Sequence, residues 1–310
     1  MNVQEPIDTL LVTSEDVDLR LDKLLSLKFP KYSRTYFQSL VEKGQVLVNG
    51  MPCKKREKPS EGDEIDICFA LSPEISLEPE NIPLDILFED ESLLIVNKPS
   101  SMVVHPAPGH PQHTFVNALL YHCQQLPIDP LAPLRPGIVH RLDKDTSGAL
   151  IAAKTSFAHR ALVEMFSERK IQKTYKTLCL NKPLVQEIIA PLKRHPTKRQ
   201  EMAVCSDGKD AITRLQVLSH DQNISLVQVQ LITGRTHQIR VHFKHIGCPI
   251  LGDPVYGISG SNQKWGISRQ MLHAETLDFT HPITGEQIHV CAPLPADMQR
   301  QIDIFFPSMR

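Results

Sequence analysis

Apolar positions recur along this chain with two periods, and each change of period marks an element. Leu21, Leu24 and Leu25 share one side of a 3.6-residue repeat, so the run from Asp18 to Leu25 predicts the opening of a short amphipathic helix. Phe37, Leu40 and Val41 repeat the pattern, with Ser33 placed as the N-cap of a second helix and Gly44 as its stop. Val46-Leu47-Val48 predicts a strand ending in the tight turn Asn49-Gly50. Beyond the turn Glu61-Gly62-Asp63, the run Glu64-Ile65-Asp66-Ile67 alternates with period two, as a half-buried strand does.

Residues 71–84 carry three prolines, several acids and little periodicity, and read as a linker. Ile86-Leu87-Phe88 and Leu93-Leu94-Ile95-Val96 then predict two buried strands around the turn Glu89-Asp90-Glu91. Apolar runs at 149–152, 177–180 and 227–231 predict further strands. A helix from Ser156 places Phe157, Ala161, Leu162, Met165 and Phe166 on one side. Near residue 233 a strand ends at Thr233-Gly234 and Thr236 caps a helix that Gly247 stops. Ile239, Phe243 and Ile246 of that helix face the core, with His237, Arg240 and Lys244 on its outer face. Strands mix with helices and no internal repeat is found, which reads as α+β.

Length and composition narrow the class. The 310 residues suffice for one large or two ordinary domains, and 41% hydrophobic content excludes whole-chain disorder. No apolar run reaches the roughly 18–20 residues of a membrane span. The opening MNVQEPIDTL lacks the basic and apolar regions of a secretory signal. Seven cysteines occur without any CxxC, so a zinc site on paired thiolates is not expected, and a reduced cytoplasmic protein is. Net charge is −1, yet residues 20–60 hold ten Lys/Arg against three acids, while residues 61–92 hold eleven acids and no Lys or Arg. Such asymmetry over a compact unit is the footprint of a polyanion partner.

Two stretches carry candidate chemistry. In Arg135 to Gly148 the apolar pair Ile138-Val139 leads into a charged, hydroxyl-rich loop, and a buried strand follows. Asp143 has Arg141 and Lys144 beside it, and cationic neighbours keep a carboxylate ionised, as a nucleophile or base requires. On spacing alone the stretch equally reads as a solvated turn. In Leu231 to His245, Arg235 sits at a strand-to-helix corner suited to pairing with a carboxylate or phosphate, and no acid occurs between Asp221 and Asp253. The clusters His237, His242, His245 and His105, His110, His113 lack an HExxH pattern, and neither a P-loop nor GxGxxG is present. No metal or cofactor is therefore expected. Asp145 could pair with Asp143 as in a glycosidase.

The N-terminal residues Arg20-Leu21-Asp22, Ser33-Arg34, Gly44-Gln45-Val46, Val48-Asn49-Gly50 and Gly62-Asp63 resemble the S4 RNA-binding domain. By that resemblance Arg34, Lys43, Lys54 and Lys55 contact phosphates, with Arg56 in the same basic block. Further on, four blocks resemble the RluA/RluC/RluD-type pseudouridine synthases: Glu89-Asp90 through Asn97-Lys98-Pro99 to His105-Pro106; Pro136 through His140-Arg141-Leu142-Asp143 to Thr146-Ser147-Gly148; Lys173-Thr174-Tyr175; and Thr233 to His242 with Gly252-Asp253 and Tyr256-Gly257. Lys144-Asp145 and the S4-like unit resemble the RluD-type branch, which acts on large-subunit ribosomal RNA.

The resemblance implies a mixed, mainly antiparallel catalytic sheet over 85–310, behind an extension (1–17), an S4-like domain (18–75) and a linker (76–84). It implies that Asp143 is the catalytic carboxylate, that Arg235 pairs with it and that Tyr175 stacks on the base. Arg141, with His140 beside it, would contact RNA or fill the space left by a flipped base. Uridine isomerisation gains and loses no atom, so no cofactor is implied, and a monomer is the default. Other readings stand at this stage: a synthase acting on transfer RNA or another RNA, a catalytically silent ribosome-assembly factor, or a sugar-cleaving hydrolase.

Overall fold

The computed structural model describes residues 7–29, 32, 34–69, 77–107, 110–123, 125–128, 135–198, 201–258, 260, 262 and 265–309. The chain divides into two compact units, 1–74 and 75–310.

In the first unit, strand β1 (Ile7–Leu11) precedes helices α1 (Leu21–Lys28) and α2 (Arg34–Glu42), and strands β2 (Val46–Val48), β3 (Met51–Pro52) and β4 (Glu64–Cys68) follow. The strands pair antiparallel in the order β1-β4-β2-β3. Leu21, Leu24, Leu25, Phe37, Leu40 and Val41 pack on Val46, Ile65 and Ile67, as the periodicity requires. Asn49 and Gly50 both have positive φ, 51° and 74°, the pattern of a tight hairpin turn. The expected cap Ser33 lies outside the described residues.

Two features go beyond the sequence reading. Strand β1 belongs to this sheet: Ile7 pairs with Cys68 and Leu11 with Glu64, and Val12 is buried in the core. A unit starting at residue 18 would lose this edge strand, whose partner is too distant in sequence for local patterning to reveal. Buried Asp22 accepts hydrogen bonds from Arg20 (2.9 Å), Arg34 (3.0 Å) and Gln38 (2.6 Å), tying α1 to α2. Burial would raise its carboxyl, but Arg34, Gln38 and Arg20 bring it down to about 2.

The second unit is built from β5 (Ile86–Glu89), β6 (Leu93–Lys98), α3 (Phe115–His122), β7 (Ser147–Ala153), α4 (Ser156–Ser167), β8 (Gln172–Leu180), β9 (Glu187–Ile189), β10 (Leu192–Arg194), β11 (Met202–Val204), β12 (Ile212–Asp221), β13 (Ile224–Leu231), α5 (Gln238–His245), β14 (Leu272–Thr280), β15 (Gln287–Cys291) and α6 (Ala296–Phe305). Among the described residues, nine strands make one sheet in the order β5-β6-β7-β14-β8-β13-β12-β9, with β15 also pairing β14. Only β7 and β14 run parallel there; the other ladders are antiparallel. Strand β7 is buried throughout because both faces are covered. Leu150 and Ala152 join the core with Phe115, Ile239 and Phe243, while Ala149 and Ile151 join the one with Ala158 and Leu162 of α4. At Gly148 (φ 113°) a Cβ would lie 2.1 Å from the Ala274 carbonyl oxygen, so β7 reaches β14 only through a glycine.

The apolar side expected for α4 is narrower than its sequence suggests: Ala158 and Leu162 are buried, but Phe157 is 57% exposed. The segment expected to be a linker is fastened in its described part. The Glu78 carbonyl accepts from the Asn117 side chain (2.8 Å), and the Glu80 N–H donates to the Asn117 carbonyl (3.0 Å) at the start of α3. Because β7, β14, β8 and β13 are neighbours in the sheet, the loop entering β7, the start of β8 and the corner from β13 into α5 converge.

Candidate active site

The loop from Asp143 to Thr146 is closed by the Thr146 N–H donating to the Asp143 carbonyl (3.1 Å). Two buried cations grip its backbone. Lys98, at the end of β6, donates from Nζ to the carbonyls of Pro99 (2.7 Å), Met102 (3.0 Å) and Lys144 (3.0 Å). Burial pushes this ammonium down to about 7, against the opposing pull of Asp145 and Asp143. Arg269 donates to the Asp145 carbonyl (3.2 Å) while paired through two nitrogens with Asp297 (2.6 and 2.7 Å).

The loop presents Asp143 to a cleft of about 460 Å³, a size suited to a nucleotide. Oδ2 of Asp143 accepts from Nη1 of Arg240 at 3.0 Å. Arg240 is buried, and its Nε and Nη2 donate to both oxygens of Asp253 (2.7 and 2.9 Å). Asp253 also accepts from the backbone N–H groups of Val255 and Tyr256, and the guanidinium lies 5.0 Å from the Tyr256 ring. Burial alone would raise Asp253, but Arg240 holds it below the usual carboxylate range. Burial alone would lower the Arg240 pKa, but Asp253 and Asp143 raise it above the usual arginine range.

The arginine at Asp143 is thus Arg240, correcting the expected Arg235. The corner before α5 explains the exchange. Gln238 uses all four of its hydrogen-bonding positions there, accepting from Thr233 Oγ1 and Arg235 N–H and donating to the Ile212 carbonyl and Thr213 Oγ1. Arg235 is exposed, and its Nε donates to the Asp210 carbonyl (3.0 Å). His237, not Thr236, precedes the first helical residue, in a left-handed conformation (φ 55°). The helix starts one residue later than expected, and Arg240 turns inward, where the buried Asp253 and the half-buried Asp143 outweigh the tendency of arginine to face water.

His237 is the second side chain beside the Asp143 carboxylate. Tyr256 Oη accepts from the Met202 N–H (2.8 Å) and also hydrogen-bonds His237 Nδ1 (2.9 Å). His237 Nε2 faces Asp143 Oδ1 at 3.8 Å. Burial lowers the His237 pKa, against the pull of Asp143, and so favours the neutral imidazole.

Tyr175 lies on β8, between Val229 and Ala274 of the neighbouring strands, and lines the same cleft. Burial, then the charge of Asp143, pushes its hydroxyl above the usual range, so it keeps its proton at neutral pH. The site therefore joins a clamped carboxylate, a protonated phenol and an aromatic surface. Such a set can attack or stabilise an electron-poor carbon and move a proton at an adjacent ring.

Other expected site residues have different fates. Arg141 is exposed at the rim of the cleft. His140 also lines it, but its Nε2 accepts from the Ile151 N–H (3.0 Å) and its ring stacks on Phe166 (4.5 Å). Burial, then Lys173, pushes it down to about 3. Its Nε2 is spent on the backbone, so His140 fastens the loop to β7. Arg34 pairs with Asp22 through Nη2 and stays half-exposed, Lys55 pairs with Glu42 (2.5 Å), and Lys43, Lys54 and Arg56 are exposed. His242 is spent on Thr213 and the Ala190 carbonyl. Sequence reasoning assigned no role to Lys98, Arg240, Asp253, His237 or Tyr256, although each falls inside the four blocks.

Residues 92–245 match the family model described as RNA pseudouridylate synthase, and residues 19–65 match the S4 domain. An uncharacterized RNA pseudouridine synthase of Bacillus subtilis is 43% identical, over 95% of this chain and 96% of its own. A ribosomal large subunit pseudouridine synthase D of Zymomonas mobilis is 42% identical, over 98% of this chain and 99% of its own. Among solved structures, human RNA pseudouridylate synthase domain containing 1 matches 76% of this chain and 88% of its own, with a TM-score of 0.56 and 28% identity.

Proposed function

This chain belongs to the RNA pseudouridine synthase family, and from that premise we propose that it isomerises uridines of large-subunit ribosomal RNA with Asp143 as the reacting carboxylate. The reaction breaks the bond from N1 to C1′, turns the uracil and rejoins it through C5. The C5 proton leaves and N1 gains one. A stacked uridine hides its glycosidic bond, so the nucleotide must first swing out of its stack.

One observation carries the role of Asp143: among the described residues lining the cleft it is the sole carboxylate, and Arg240 holds one of its oxygens. The other oxygen is then available to attack the nucleotide or stabilise charge on it. Tyr175 would stack on the uracil and move a proton. Arg141, at the rim, would occupy the gap left by the base. Arg235, freed from Asp143, would meet the RNA backbone, as would Arg34, Lys43, Lys54, Lys55 and Arg56 of the S4-like unit. The ribosomal target is supported by the Zymomonas relative, matched across nearly its whole length. The reading includes a monomeric, cytoplasmic protein, with all seven cysteines as free thiols.

The test is tritium release from ribosomal RNA carrying 5-tritiated uridine. Release by the wild-type protein and none by Asp143→Asn is expected. Release by both would remove Asp143 from the chemistry. Release from transfer RNA alone would move the target, and free uracil would mean hydrolysis.

A further inference from the structure

Lys173 opens the block that ends in Tyr175, and the mechanism above leaves it without a task. It is only 7% exposed and lines the cleft. Its Nζ lies 5.5 Å from the centroid of the Phe166 ring. The other buried cations of this unit have evident partners: Lys98 has three carbonyls, Arg240 two carboxylates, and Arg269 has Asp297. Among the described residues no carboxylate pairs with Lys173, and the charge that acts on it is another cation, Arg169. Arg169 lies just beyond α4, with φ 62°, and also lines the cleft.

We propose that Lys173, with Arg169 beside it, holds the phosphodiester adjacent to the target uridine. This rests on the reading that the nucleoside reacts between Asp143 and Tyr175. A buried ammonium beside a guanidinium is costly unless an anion arrives, and the cleft is the open side from which one can. Burial, then Arg169, already holds this ammonium below the usual lysine range, and a phosphate would reverse that pressure. Spacing agrees. Lys173 and Tyr175 are two residues apart on β8, both buried on the same face, so their side chains leave the strand about 7 Å apart. That is of the order of the span from a nucleoside to its own phosphate. A base stacked at Tyr175 therefore brings its backbone to Lys173. The chemistry recognised is a phosphodiester and not a base edge, so the interaction would fix position along the strand without choosing the sequence.

The test compares wild type, Lys173→Gln and Lys173→Arg in single-turnover conversion of a ribosomal RNA stem-loop bearing a uridine that the wild type modifies. The stem-loop is made unmodified, or with an uncharged methylphosphonate on the 5′ or the 3′ side of that uridine. Lys173→Gln is expected to raise the half-saturating concentration about tenfold, as removal of one charge-assisted hydrogen bond does. Its salt slope should fall by about 0.7. Lys173→Arg should restore most of the affinity. At one position the methylphosphonate should weaken the wild type by a similar factor and Lys173→Gln no further. A methylphosphonate cost equal in both proteins, or no cost at either position, overturns the assignment. So does a Lys173→Gln protein that loses rate at saturation but no affinity, which would make Lys173 a proton acceptor. If the wild type converts no ribosomal RNA, the underlying reading falls and takes this one with it.

Discussion

At the scale of single residues, the centre of the site is a chain of alternating charge, Asp143 to Arg240 to Asp253. Its inner end is fully buried, so each member depends on the next. Replacing Arg240 with Met leaves Asp253 buried and unpaired, and is expected to cost about 3–5 kcal/mol of stability in urea unfolding. Adding Asp253→Asn should recover part of that loss. The folded Asp253 carboxyl is depressed, so the stability it contributes is present above its unfolded value near 4 and is lost as pH falls below it. His237 faces the other oxygen of Asp143 at 3.8 Å and is held by Tyr256. His237→Ala is expected to lower the saturated rate about tenfold or more with a smaller change in half-saturation, and His237→Gln to retain more activity. Equal effects on both parameters would reduce His237 to a packing role.

At the scale of elements, the reactive loop is rigid because β6 and the stretch before β14 reach its carbonyls through Lys98 and Arg269. Lys98 leaves a measurable signature. Its folded value, near 7, lies well below the value of about 10.4 for an unfolded lysine, so the unfolded chain binds more protons between them. Stability should therefore rise as pH climbs from about 7 toward 10, and Lys98→Met should flatten that rise. A variant with the wild-type slope would show that Lys98 keeps its proton in the fold. In the first unit the corresponding element is β1. Deleting residues 1–17 is expected to lower the thermal transition of that unit, because β4 loses its edge partner and Val12 leaves the core. An unchanged transition would make β1 dispensable.

At the scale of the whole molecule, a first unit with a basic stretch at residues 20–60 precedes a catalytic unit whose cleft, among the described residues, is lined by several cations and a single carboxylate. Lys54→Ala, Lys55→Ala and Arg56→Ala together should weaken RNA binding and lower the salt slope by roughly 0.7 for each phosphate no longer neutralised. Lys55 pairs with Glu42, so its share of that change should be the smallest. An unaltered slope would take the block out of the interface.

The sequence by itself determined what local periodicity and short motifs encode. The α1 and α2 faces, the Asn49-Gly50 turn, the buried runs of β6, β7 and β13 and the position of Asp143 ahead of β7 all follow from spacing within a few residues. Their burial then agrees, because each pattern has one consistent way to hide its apolar side. Only the tertiary structure decided which arginine meets Asp143. Arg235 and Arg240 occur in the same short stretch with the same charge, and the choice depends on a left-handed turn at His237 and on Asp253, a residue well outside the helix. The same holds for β1, Lys98 and Lys173. Each is defined by a partner, or by the lack of one, far away in sequence, and a pattern read along the chain carries no information about which distant groups share a buried space.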